Sequence, residues 1–310
     1  MLGKIKKFRT LLQLIADTSS KVNKLENELN DLKLLCGSIH ANINKNIPEQ
    51  DINAHEFKVF SQFGDDGIIQ YLISKVAISN KTFIEFGVED FFESNTRFLM
   101  MKDNWEGFVL DGSKENIERL IKSNFYWKFQ LNAVDAFITK ENINALLEMS
   151  GFDYDLGILH IDLDGNDYWI WDAIEKFSPR ILILEYNSVF GDKNRWTVPY
   201  KADFQRFNAH YSGLYWGASL PALYNLSISK GYELVGCNSA GNNAYFVRKD
   251  VNTLPRLDLA QAFKVSNYRE SRDEQGRLSF AAKDERLKSL NGLPVFNTKK
   301  NTLETIKTNE

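Results

Sequence analysis

The sequence predicts an α/β domain: a mostly parallel sheet with helices on both faces, finished by a C-terminal β-hairpin and preceded by an N-terminal coiled-coil helix. Three observations predict it. Apolar runs ending in glycine or a carboxylate recur, first at Phe83-Ile84-Glu85-Phe86-Gly87-Val88 and then at Gly107-Phe108-Val109-Leu110-Asp111. Helical patterns separate these runs, as in a sheet whose strands are covered on both faces. The chain also opens on a heptad pattern of apolar residues.

That heptad seam reads Phe8, Leu11, Ile15, Thr18, Val22, Leu25, Leu29, Leu32, Cys36, Ile39 and Ile43, in alternating steps of three and four. Such spacing puts all of them on one helical stripe. Lys21 with Glu26, and Glu28 with Lys33, fall where a g residue meets the e residue of a parallel partner. The expectation is a homo-oligomer through residues 1–47; the alternative is an amphipathic helix packed on its own domain. Thr18 and Gly37 weaken the seam. Asn42 to Asp51, with Pro48, reads as the linker.

The main domain is expected over 48–255. Phe60 to Val76 reads as a helix. Strand 82–88, helix 93–102, strand 107–111, helix 114–123, strand 127–134, helix 139–149, strand 156–163, helix 167–177 and strand 180–186 follow. A helical region from Leu214 to Lys230 precedes two runs, Tyr232 to Gly236 and Ala244 to Arg248. A Gly/Asn-rich turn between them marks a hairpin. Residues 256–310 form an extension whose tail, beyond about Asn297, is polar and expected to fray.

Composition bounds the function. The chain has 310 residues, 43% of them hydrophobic and 25% charged, with a net charge of −3. Nothing there suggests nucleic-acid binding, which favours a basic surface. Two cysteines, Cys36 and Cys237, are too few for a disulfide framework. No apolar run is long enough to span a bilayer. The start carries Lys4, Lys6, Lys7 and Arg9 before a short apolar stretch, without a small-residue cleavage site. A cytoplasmic protein is expected, with weak attachment to an anionic membrane surface as a secondary expectation.

A strand, a glycine turn, a helix and a second strand closed by a carboxylate make the front half of a nucleoside-binding unit. Asp111 is placed to accept hydrogen bonds from both ribose hydroxyls. Asp135 stands where the next loop meets the adenine amino group, with helix capping as its competing role. A dinucleotide is disfavoured: after Gly87 the turn continues Glu89-Asp90-Phe91-Phe92-Glu93, without further glycines and crowded with carboxylates that repel phosphate. A cofactor with a sulfonium and an ammonium suits that field. S-adenosylmethionine is therefore the expected cofactor, with Glu85 and Gly87 in its site.

A second acidic group closes the fourth and fifth strands: Asp162, Asp164 and Asp167 after Gly157-Ile158-Leu159-His160-Ile161, and Glu185-Tyr186-Asn187 after Ile181 to Leu184. Adjacent parallel strands bring these ends together. Asp162, Glu185 and Asn187 offer oxygen ligands of the kind that suits Mg2+ or Mn2+. Without metal, a carboxylate serves as general base. Asp164 and His160 are the catalytic candidates, although His160 within a strand also reads as a satisfied core residue.

These residues resemble the FkbM-like family of S-adenosylmethionine-dependent methyltransferases. The resemblance rests on Ser61-Gln62-Phe63-Gly64-Asp65-Asp66-Gly67, Phe83 to Gly87, Ser94-Asn95-Thr96-Arg97, Asp162 to Tyr168 and Ile183-Leu184-Glu185, and covers about residues 58 to 250. Asp164 and Asp167 replace glutamates of that family's acidic run. The resemblance implies a class I, Rossmann-like methyltransferase fold and adds Gln62 and Asn95 to the cofactor site. It also implies methylation of a sugar hydroxyl for capsule or O-antigen, on a nucleotide-activated sugar such as a heptose. From Phe190 to Trp196 and from Tyr211 to Trp216, aromatics mixed with polar donors suit a sugar pocket, and Arg195, Lys201 or Arg206 suit a diphosphate. Two other functions compete. One is a metal-dependent glycosyltransferase using Asp162 and Asp164; the other is a non-catalytic coiled-coil scaffold.

Overall fold

The computed structural model describes residues 2–308. Its centre is a seven-stranded sheet in the order β3-β2-β1-β4-β5-β8-β7. The strands are β1 (Thr82–Phe86), β2 (Glu106–Asp111), β3 (Leu131–Asp135), β4 (Ile158–Ile161), β5 (Ile181–Glu185), β7 (Tyr232–Cys237) and β8 (Asn243–Arg248). The first five are mutually parallel; β8 runs antiparallel to β5 and β7 antiparallel to β8. This is the Rossmann-like sheet with a terminal hairpin that the sequence predicts. The reason lies in the strands themselves: Ile84, Phe86, Leu159, Ile161, Leu182 and Leu184 bury one face, while Phe83, Val109, Ile158, Ile181 and Ile183 bury the other.

Before the first strand lies α2 (Asp65–Lys75), and between the strands lie α3 (Arg97–Asp103), α4 (Lys114–Ile121), α5 (Ile143–Glu148), α6 (Asp167–Ala173), α7 (Arg206–Ala209) and α8 (Leu220–Ser229). Several begin later than the sequence suggests, each for a local reason. Residues 60–64 are a loop because the Asp66 carboxylate accepts from the backbone N–H groups of Val59, Phe60 and Ser61 at 2.6–2.8 Å. Ser94 to Thr96 are held by Glu85, so the next helix starts at Arg97. Residues 126–128 form a 3-10 turn and delay the third strand to Leu131. Ser219 caps α8, accepting from the Ala222 N–H at 3.3 Å, and leaves Leu214 to Ala218 outside it.

The C-terminal extension does not fray as expected. Pro294–Asn297 (β9) pairs antiparallel with Thr302–Thr305 (β10) and with Trp196–Thr197 (β6). Phe190, Val198, Leu214, Tyr215, Leu290, Val295 and Ile306 form a separate small core beneath this sheet. Two short helices, α9 (Leu259–Ala262) and α10 (Asp284–Lys288), complete the extension. Alternating polar residues mask the strand in the sequence, because only one face of it is covered.

Residues Leu2–Asn44 form one helix, α1. Its C-terminal third docks on the main domain through Leu34, Gly37, Ala41 and Asn44. Ala41 is 1% exposed and packs with Phe57, Val59, Phe60 and Phe98. A Cβ on Gly37 would stand 2.5 Å from Val59 Cγ2, so this glycine permits the approach rather than weakening a seam. The docking residues occupy heptad positions b and f, opposite the a/d seam. Val22, Leu25, Leu29, Leu32 and Ile39 of the seam are each more than half exposed. The helix is therefore docked, but not through the stripe that carries the heptads.

The two halves of the domain are stapled by Asp65 at the start of α2. Its Oδ1 accepts from Asn238 Nδ2 and Asn243 Nδ2, both at 3.0 Å, and from the Tyr245 hydroxyl. These partners lie on the terminal hairpin and its turn.

Candidate active site

Two adjoining cavities of about 310 and 300 Å³ run along the carboxyl ends of the parallel strands and share Gly87, Glu89, Asp162 and Asp164 as walls. Ligands in open α/β sheets bind at this edge. The first cavity extends over β1, β4, β5 and β8; the second extends over β2 and the loop after β3.

Gly87 makes the turn out of β1. Its φ is +70°, and a Cβ there would stand 1.8 Å from the Asp162 carbonyl oxygen. Only glycine lets β1 and β4 end so close together. Asp111, at the end of β2, is buried and lines the second cavity with Asn116, Phe137 and Ile138. Its Oδ2 accepts from the Glu89 N–H and its Oδ1 from the Ser113 N–H, both at 2.8 Å. Lone pairs remain for a ligand hydroxyl. Asp135 is different. It is paired in register with Asp111 and exposed, and its neighbours Ala136, Phe137 and Ile138 line the cavity instead. Phe137 and Ile138, not that carboxylate, form this wall.

Glu85 holds the floor of the first cavity together. It accepts from Ser94 Oγ at 2.7 Å, the Asn95 N–H at 3.0 Å, the Thr96 N–H at 3.3 Å, the Thr96 hydroxyl, and His160 Nδ1 at 2.9 Å. Burial works to raise its pKa, but the hydrogen bonds from His160, Ser94 and Thr96 outweigh it and hold the carboxyl below its usual range. For His160, burial alone would lower the pKa; the Glu85 carboxylate outweighs that and raises it. Asn95 Nδ2 lies 3.3 Å from His160 Nε2. Both ring nitrogens are thus committed, and His160 is a buried anchor rather than a free base. Gln62, Asn95 and His160 all line this cavity, Gln62 on its exposed side.

The acidic turn after β4 divides by role. Asp167 is fully buried and accepts from the Leu163 N–H at 2.8 Å and the Gly165 N–H at 3.1 Å, which closes the turn. Burial pushes its pKa up to about 7. Asp164, at φ +51°, reaches out to Arg206 Nη1 at 2.8 Å. That ion pair, with Arg206 also donating to the Gly213 carbonyl, removes Asp164 from the role of free base. Asp162 and Glu185 both line the first cavity; burial pushes Asp162 up to about 6 and raises Glu185 well above its usual range, where the charge of Asp162 adds to the effect of burial. Such a pair keeps one proton near neutrality.

The expected metal set does not assemble. The Asn187 side chain donates to the Leu214 and Trp216 carbonyls at 2.9 and 3.0 Å and accepts from the Val189 N–H at 3.0 Å. It is bound into the loop behind β5. Among the described residues, no three His, Cys, Asp or Glu side chains form a group suited to a metal ion. The geometry of Asp162, Glu185 and Asn187 therefore does not fit Mg2+ or Mn2+.

Residues beyond the sequence-predicted site complete the wall. Asn242 and Asn243 come from β8 and its turn, and Tyr268 and Glu270 from the extension. Tyr268 stacks on Phe63 with ring centroids 6.0 Å apart. Arg206 was legible only as one of several basic residues. No local motif marks the others; the sheet order brings them in. Of the basic residues expected near a diphosphate, only Arg206 lines the first cavity, where it faces Glu85, Glu89, Glu93, Asp162, Asp164, Glu185 and Glu270. The resulting field is strongly negative. It disfavours phosphate and suits a cation, and the residues present would fit S-adenosylmethionine: the Asp111 carboxylate offers lone pairs to a diol, Phe137 and Ile138 offer an apolar wall, and acids surround the Gly87 turn.

No protein-family model matches the chain, and no curated protein matches it. Among solved structures it is similar to the O-methyltransferase from Bacillus cereus in complex with SAH, at 13% identity over 71% of this chain and 91% of that one, TM-score 0.40. It is also similar to the SAH-bound N-terminal domain of EvdMO1, at 10% identity over 61% and 80%, TM-score 0.39. A third is an S-adenosylmethionine-dependent methyltransferase from Clostridium acetobutylicum, at 10% identity over 59% and 90%, TM-score 0.38. Likenesses this distant carry no functional argument. The strand order shows the fold: the chain has a Rossmann-like sheet of the class I methyltransferase type, with an acid-rimmed cavity at its carboxyl edge.

Proposed function

We propose that the protein is an S-adenosylmethionine-dependent O-methyltransferase acting on a sugar hydroxyl. One observation carries this reading: the cavities that meet at the Gly87 turn are lined by carboxylates on nearly every side, a field that disfavours phosphate. When bound, the cofactor supplies an electrophilic methyl group on a cationic sulfur. The chain's own residues do the rest. Asp111, Asn116 and the Phe137 wall hold the adenosine end. Gly87 and the Asp162 backbone leave space where the two cavities meet. The acceptor lies over β4, β5 and β8, walled by Gln62, Asn95, Asn242 and Tyr268, whose amides and ring suit a polyhydroxyl compound.

The acceptor oxygen forms its bond to the methyl carbon as the carbon–sulfur bond breaks, and the hydroxyl proton passes to a carboxylate. Asp162 is the proposed base, in place of Asp164 and His160. It stands where the cavities join, with Glu185 on the same wall. Positioning supplies much of the rate in such an in-line displacement. A nucleotide-activated acceptor would keep its diphosphate outside this field. The glycosyltransferase reading is disfavoured by the same argument, because Asp164 is paired to Arg206 and the cavity repels a sugar diphosphate.

We also propose that α1 pairs in parallel with α1 of a second copy, since its exposed seam and its g/e charges suit that partner.

The test is mass spectrometry of free and nucleotide-activated sugars incubated with S-adenosylmethionine, with and without EDTA. A gain of one methyl that persists in EDTA supports the reading. A cavity that binds a nucleotide sugar but not SAH refutes it.

A further inference from the structure

We infer that the end of the cavity between β5 and β8 recognises a cationic amino group on the acceptor, so that the substrate is an amino sugar methylated on a hydroxyl. The inference rests on the methyl-transfer reading and deepens it. Glu185 and Asn243 are register partners across β5 and β8. Both are more than nine-tenths buried, and both line the cavity. Glu185 Oε2 and Asn243 Oδ1 have no hydrogen-bond partner. The orientation of the Asn243 amide is fixed, because its Nδ2 donates to Asp65 Oδ1 at 3.0 Å. Its oxygen is therefore the atom left over. Two buried acceptor oxygens side by side, both lacking donors, are costly until a ligand brings N–H or O–H groups.

Charge chooses between those donors. A neutral hydroxyl gives one hydrogen and leaves the negative charge of the Asp162–Glu185 pair uncompensated. An ammonium gives three and neutralises the pair. Arg206 makes its hydrogen bonds to Asp164 and to the Gly213 carbonyl and leaves both oxygens without a donor. The cofactor's own ammonium is an unsuitable occupant. Its adenosine end belongs over β2 and its sulfur near the β1 turn, whereas β5 and β8 lie two and three strands beyond β1, roughly 10 Å and 14 Å at the usual strand spacing.

The experiment uses the full chain saturated with SAH and ligand-observed NMR titration of D-glucosamine, D-glucose and N-acetyl-D-glucosamine. Glucosamine is expected to bind about tenfold or more tightly than the other two. Its advantage should vanish between about pH 6.5 and about pH 9, as the amine loses its proton. Glu185→Gln should erase the advantage and leave SAH affinity unchanged. Equal binding of the three sugars, no binding of glucosamine, or an advantage that persists at the higher pH overturns the inference in the unaltered protein. SAH affinity lost in the Glu185→Gln protein overturns it too, by giving that carboxyl to the cofactor. Failure of the unaltered protein to bind SAH instead removes the underlying reading.

Discussion

Glu85 on β1 and His160 on β4 are paired in register, and their side chains meet at 2.9 Å with almost no exposure. The carboxylate that gathers Ser94, Asn95 and Thr96 under the cavity is itself neutralised by the next strand. Cavity geometry and sheet register are therefore one arrangement.

His160→Phe removes the partner and strands the Glu85 charge in the core. The expected cost is about 3–5 kcal/mol, read from urea unfolding, together with lost SAH binding. A variant with unchanged stability would show that Glu85 does not depend on His160.

Gly87→Ala meets both the +70° φ and the Asp162 carbonyl 1.8 Å from the new Cβ. Backbone strain alone costs on the order of 1–3 kcal/mol, and the clash adds to it. The expected result in calorimetry is a lowered melting temperature and no SAH binding.

Asp111→Asn keeps the shape but leaves one of its two loop N–H donors facing an amide N–H. SAH and adenosine should each bind about tenfold more weakly, and by the same factor, because both carry the ribose. A loss confined to SAH would move Asp111 away from the ribose.

The buried acids set the pH dependence of the empty protein. Burial raises Asp66 to about 6 and Asp167 to about 7. A raised acid contributes stability that is present below its unfolded pKa and is lost as pH rises through the folded value. His160, also raised, acts in the same sense above its usual pKa. Melting temperature is therefore expected to fall from about pH 5 to about pH 8, and Asp167→Asn should flatten that slope. A melting temperature rising over this window would contradict the assignment.

Lysines at both Leu25 and Leu29 would place charge in the exposed seam, far from Gly37 and Ala41. Sedimentation should then report monomers while SAH binding stays unchanged. Oligomers that survive the double substitution would locate the interface elsewhere.

Strand-ending residues were the most legible part of this chain. Gly87, Asp111, Asp162 and Glu185 declare themselves because a parallel sheet collects strand ends on one edge. Asn187 and Asp135 misled for the same reason: position at a strand end fixes the neighbourhood but not what the side chain reaches. Asn243, Tyr268 and Glu270 reach the cavity only through long-range sheet order and the folded extension. Polar strands such as Thr302–Thr305 give no hydrophobic signal, and the docking of α1 depends on a glycine that looks like a flaw in the heptads.

The Asp65 staple has a consequence for how the molecule comes to life. Its carboxylate joins Tyr245 across 180 residues, so neither end of the domain is finished until the other arrives. Such distant closure slows folding: the Asn243 wall joins the first cavity only when the terminal hairpin has docked on α2.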